Sequence, residues 1–179
     1  ISPARPVYNG GLPEIYTDDP RHGANAIKFA DINNDNDHDL FFGDLFSKGI
    51  YFIENQGSPS DPAMVIVDSN YPGNQPFASD GYNLVDMVDI DGDNDLDMFV
   101  SVLYSSQTDH NFVYYKNNGS LSNPLFQKQT ENYLISVDVG SNSVTCFSDL
   151  NGDGLLDLLV GAEDKRVAFF KNTGNQFVP

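Results

Sequence analysis

The amino-acid sequence predicts an all-β fold built from repeated, four-stranded antiparallel units. Three observations carry this expectation. An acidic nonapeptide recurs three times at a spacing of about sixty residues. Short apolar and aromatic runs flank each copy and are closed downstream by Asn-x-Gly. No segment sustains the 3.6-residue apolar period of a helix.

The nonapeptides are DINNDNDHD (Asp31 to Asp39), DIDGDNDLD (Asp89 to Asp97) and DLNGDGLLD (Asp149 to Asp157). Their first residues lie 58 and then 60 positions apart. Before each stands an apolar stretch containing Phe29, Met87 or Phe147, the first strand of a unit. After each comes a second strand, beginning at Leu40, Met98 or Leu158. The third strand is aromatic and ends in the Asn-x-Gly turns at Asn55, Asn117 and Asn172. Pro62-Ala63-Met64 and Pro124-Leu125-Phe126 open a fourth. Four short antiparallel strands in about 60 residues are the pattern of a β-propeller blade.

The ends are offset by one strand. Tyr8 precedes Asp31 by 23 residues, and Phe126 precedes Asp149 by 23. Residues 1–23 are therefore expected to hold the fourth strand of a preceding or exchanged blade, around Pro6 to Gly11. Blade 1 is expected over residues 24–81, blade 2 over 82–141 and an incomplete blade 3 over 142–179, reaching only Phe177 and Val178 of its last strand. Three blades are fewer than the four to eight that usually close a propeller. Further blades, or other copies of the chain, are accordingly the expected partners.

Composition narrows the function. The chain has 26 Asp and Glu against 9 Lys and Arg, a net charge of −17. Such a surface repels nucleic acid and anionic lipid, so neither is an expected partner. No apolar run is long enough to form a membrane helix. Asp far outnumbers Glu, as loops that hold short carboxylates near the backbone require. The single cysteine, Cys146, has no internal disulfide partner and, in the apolar stretch VTCF, is expected to pack as a small, at least half-buried residue.

Numbered from the first Asp, positions 1, 3, 5 and 9 carry oxygen-bearing side chains in every loop. They are Asp31, Asn33, Asp35 and Asp39; Asp89, Asp91, Asp93 and Asp97; and Asp149, Asn151, Asp153 and Asp157. Alternate positions of a tight loop can converge, and calcium takes six to eight hard oxygens at about 2.3–2.6 Å. Position 6 is Asn36, Asn94 or Gly154, residue types that tolerate positive φ. Position 7 is Asp37, Asp95 or Leu155, and because leucine serves there the expected ligand is the backbone carbonyl. A single such loop could be an acidic surface turn. Three in register favour Ca²⁺, three ions per chain, over magnesium, zinc or copper.

These residues resemble the FG-GAP/VCBS repeat family, whose calcium-loop blades build integrin α-subunit propellers and many secreted bacterial proteins. The loop pattern D-x-[DN]-x-D-x-x-x-D at Asp31, Asp89 and Asp149 carries the resemblance, together with the aromatic strand and Asn-x-Gly at Asn55, Asn117 and Asn172. The resemblance implies a β-propeller, calcium held in the hairpin between the first two strands, and an extracellular or cell-surface setting. The expected role is structural and adhesive, with a protein or glycan as ligand, and not enzymatic. Two alternatives compete. One is a subunit that assembles into an extracellular filament or array by strand exchange. The other, less favoured, is a polysaccharide lyase, for which His110 near Tyr114 and Tyr115 would be the acid/base pair. Asn118-Gly119-Ser120 fits an N-glycosylation acceptor on an exposed turn.

Overall fold

A computed structural model describes residues 26–43, 48–102, 112–131, 133, 144–161 and 165–174. All regular structure in these residues is β. No helix among them is long and apolar enough to cross a membrane. The strands expected around Pro6 to Gly11 and at Phe177-Val178, together with His110, lie outside the described residues.

Three antiparallel sheets follow one another along the chain. The first contains β1 (Ala26–Ala30), β2 (Asp39–Gly43), β3 (Tyr51–Asn55) and β4 (Met64–Asp68). The second contains β5 (Asn83–Val88), β6 (Asp97–Val102), β7 (Phe112–Asn117) and β8 (Phe126–Thr130). In the third, β9 (Val144–Ser148), β10 (Asp157–Gly161) and β11 (Val167–Phe170) pair in order. Every strand pairs with its neighbour in sequence, the meander of a propeller-like blade. In both four-stranded sheets the register between the third and fourth strands shifts at the same place, Phe52/Ile53 and Tyr114/Tyr115.

The sheets stack face to face, and alternation along each strand divides the side chains between two cores. Met98, Val100, Val113 and Tyr115 of the second sheet pack with Phe41 and Phe52 of the first. The intervening Phe99, Phe112 and Tyr114 pack with Phe147, Leu158 and Val160 of the third. All six residues of β6 are buried, because both faces of the middle sheet are covered. Phe99 stacks on Tyr114 at 4.8 Å between ring centroids and meets Phe147 at 4.6 Å. Tyr71, in the connector between the first two sheets, packs against Phe41, Phe52 and Phe126.

Polar contacts fix the stack. Lys28 pairs with Asp86 between β1 and β5. Ser101 and Thr145 share a hydroxyl hydrogen bond of 3.1 Å between β6 and β9. From the connector, Asn74 Nδ2 donates to the Phe126 carbonyl, and Gln75 Oε1 accepts from Lys128 N at 2.7 Å. The end of β2 approaches β5 so closely that a Cβ on Gly43 would lie 2.0 Å from the Asn83 carbonyl oxygen.

Cys146 departs from expectation: it is exposed. Its neighbour Phe147 packs toward the second sheet, and the two-residue alternation of β9 turns the thiol to the opposite face.

Candidate metal centre

Each acidic loop joins the first two strands of its sheet. The hairpins are closed by the pairs Ala30 with Asp39, Val88 with Asp97 and Ser148 with Asp157. Position 9 is thus the first residue of a central strand, and Asp39, Asp97 and Asp157 are buried.

The loops share one hydrogen-bond pattern. The carboxylate of position 1 accepts from the backbone N–H groups of positions 5 and 6. These bonds are 3.1 and 3.0 Å at Asp31, 3.2 and 3.0 Å at Asp89, and 3.2 and 2.9 Å at Asp149. Position 5 accepts from the N–H of position 7: Asp35 from Asp37, Asp93 from Asp95, and Asp153 from Leu155. Such wrapping requires left-handed backbone. Position 6 takes φ of 71°, 74° and 83° at Asn36, Asn94 and Gly154. Position 4 does the same, at Asn34, Gly92 and Gly152, a demand the sequence reading missed although Asn, Gly, Gly is its signature.

The Asn-x-Gly element belongs to the site. The backbone N–H groups of Asn55, Asn117 and Asn172 donate to Oδ1 of Asp39, Asp97 and Asp157 at 2.9, 2.7 and 2.9 Å. The Asn117 side-chain oxygen in turn accepts from Gly119 N and Leu125 N, both at 2.9 Å. Asn55 does the same with Gly57 and Ala63. The expected tight turn is a longer folded loop, and its glycine is required by crowding. A Cβ on Gly119 would lie 2.2 Å from the Asn123 carbonyl oxygen. The repeated asparagine therefore ties the third strand to the last carboxylate of the acidic loop.

The second oxygen of position 9 distinguishes the blades. Asp157 Oδ2 accepts from Asn151 Nδ2 at 3.0 Å, and Asp97 Oδ2 from the Tyr114 hydroxyl at 3.1 Å. Asp39 Oδ2 is buried with no hydrogen-bond partner among the described residues, as are Asp37 Oδ1, Asp91 Oδ1 and Asp95 Oδ1. Burial pushes Asp39 and Asp95 up to about 6 and Asp97 to about 7; the neighbouring loop carboxylates add to each shift. Asp37 is raised by burial and by the charges of Asp35 and Asp31.

Carboxylate oxygens of Asp89, Asp91 and Asp93 lie within 4.8 Å of one another. Lys116 pairs with Asp91, and its ammonium is 3.7 Å from Asp93 Oδ2. Burial alone would raise the Asp91 carboxyl; the ammonium outweighs it and holds the group below its ordinary range. In the third sheet Lys171 lies 3.3 Å from Asp153 Oδ2. The equivalent residue of the first sheet is Glu54. In the first and third loops position 3 is Asn33 or Asn151, an amide oxygen in place of the third carboxylate.

Residues 89–160 match the FG-GAP-like repeat. The matched segment opens on the first Asp of the second loop and ends within β10, so it holds two of the three acidic loops. The first sheet repeats the same loop, strand order and asparagine tie outside the matched segment. No curated protein matches the chain.

Tyr114 and Tyr115, weighed above as acid/base groups, belong to the two inter-sheet cores. Burial pushes both phenols up, Tyr115 to about 12, far from a proton-transfer group at neutral pH.

Proposed function

We propose that the chain is a calcium-stabilised segment of propeller blades with a structural and adhesive role outside the cell. The observation that carries this reading is the pair of buried carboxylate oxygens without a donor in the first loop, Asp37 Oδ1 and Asp39 Oδ2, echoed by Asp95 Oδ1 in the second. A buried carboxylate is costly unless a cation or donor compensates it. In the first two loops the backbone donors are directed mainly at positions 1 and 5, leaving Asp37 Oδ1, Asp39 Oδ2 and Asp95 Oδ1 for a cation. A donor set made only of oxygens suits calcium, and flexible loop carboxylates favour it over magnesium.

Positions 1, 3, 5 and 9 and the carbonyl of position 7 would hold the ion. Bound there, it would join both strands of the hairpin and, through Asn55, Asn117 and Asn172, the third strand. The ion supplies rigidity in this reading, and the blade rims remain for a protein or glycan ligand. Titration calorimetry with calcium is expected to show three sites per chain, with dissociation constants of about 10⁻⁴–10⁻³ M as in extracellular calcium modules. The melting temperature should fall when a chelator is added. A melting curve indifferent to both calcium and chelator would refute the proposal.

A further inference from the structure

Each core between two sheets takes one apolar side chain from each of two consecutive acidic loops. Ile32, at position 2 of the first loop, is buried in the core between the first two sheets. Leu96, at position 8 of the second loop, packs against the same core. The next junction repeats the arrangement. Ile90, at position 2 of the second loop, and Leu156, at position 8 of the third, share the core between the second and third sheets. All four side chains stand between candidate ligand positions. Ile32 lies between Asp31 and Asn33, and Ile90 between Asp89 and Asp91. Leu96 lies between Asp95 and Asp97, and Leu156 between Leu155 and Asp157. A loop therefore cannot rearrange its ligand positions without disturbing a core that the neighbouring loop also enters.

We propose that Ile32, Leu96, Ile90 and Leu156 are positioning residues that couple adjacent loops, so that calcium bound in one loop tightens binding in the next. The proposal rests on the calcium reading above. An ion that orders one loop fixes that loop's apolar side chain in the shared, close-packed core. The neighbouring loop then meets a formed packing partner and loses less freedom when it binds in turn. The second loop enters both cores and is coupled to both neighbours; among the described residues the first and third loops share no core. Charge alone predicts the opposite sign, because a cation in one loop weakens the negative potential at the next.

The test is calcium titration calorimetry of the full chain with loops disabled singly and in pairs by Asp35→Ala, Asp93→Ala and Asp153→Ala. These three residues are exposed, and circular dichroism checks that each variant folds. In Asp153→Ala, which keeps the first two loops, the second site should bind about five-fold or more tighter than in Asp35→Ala/Asp153→Ala, the lower end of the usual coupling between sites. In Asp93→Ala, the first and third sites should each bind as they do when alone. Leu96→Ala should abolish the gain at the second site. Val85→Ala, which trims the same core from β5 and outside any loop, should keep it. Equal affinity with and without the neighbouring site, or weaker binding beside an occupied neighbour, overturns the proposal. Equal coupling between the first and third sites also overturns it, since calcium would then be stabilising the whole fold and not acting through a shared core. If the intact chain takes up no calcium, the calcium reading and this proposal fall together. If it takes up calcium at independent sites, only this proposal falls.

Discussion

Lys116 shows how far one side chain can differentiate otherwise equivalent loops. Its ammonium sits among Asp91 and Asp93, where it acts as an internal cation. A metal ion entering that loop must compete with it. Lys116→Met should therefore tighten calcium binding at the second site by about 2–10-fold, the scale of a partly exposed ion pair, and should destabilise the ion-free protein. Calorimetry that resolves the sites checks this; unchanged or weaker binding at the second site would count against it. The first loop, with Glu54 in place of the lysine, should be the most dependent on added cation.

The buried carboxylates also set a pH dependence. Asp39 and Asp95 at about 6, and Asp97 at about 7, lie above their unfolded value of 3.8. Between roughly pH 4 and 7 the ion-free native state thus holds protons that the unfolded chain has released. Its stability should be greatest at the acid end of that window and fall as pH rises through it. Calcium requires deprotonated ligands, so in its presence stability should rise across the same window. Melting temperatures measured with chelator and with calcium should have opposite slopes, and a flat chelator profile would contradict the shifts.

Among the elements, the asparagine loop between the third and fourth strands carries more weight than its exposed length suggests. Asn117→Ala leaves the N–H groups of Gly119 and Leu125 without their acceptor and should cost about 2–4 kcal/mol, as expected for two stranded donors. Asn118→Ala, one residue along and exposed, should cost less than about 0.5 kcal/mol. Chemical denaturation of the pair checks the difference. The strands themselves were legible in the sequence, because a period of two and a loop repeated in register are local signals. Position 6 was legible from Asn and Gly for the same reason. The reach of Lys116 into the acidic loop was not, since it depends on how β7 pairs across β6. Nor was the tie from Asn117 to Asp97, which spans 20 residues and exists only once three strands are aligned. Cys146 was misplaced because an apolar neighbourhood in sequence does not tell which face of a strand will be covered.

At the scale of the molecule, the middle sheet bears the packing. Phe99 is fully buried and meets Tyr114, Phe112, Tyr133 and Phe147. Phe99→Ala should cost about 3–5 kcal/mol, the range for removing a buried aromatic ring. It should also loosen the third sheet specifically, which hydrogen exchange of β9 and β10 would report. Loss of protection confined to β1 to β4 would contradict this assignment of the two cores.

The meander has a kinetic side as well. Each described strand pairs only with its immediate neighbours in sequence, so a sheet can form from nearby residues without closing a long loop. Contacts between sheets then link successive units, as in other linear repeat arrays. The second sheet cannot cover both of its faces until the first and third exist, but the first two can already share a core while the third is still emerging from the ribosome. Order along the chain thereby becomes order in time, with protection appearing first in β2 and β6 and last in β11.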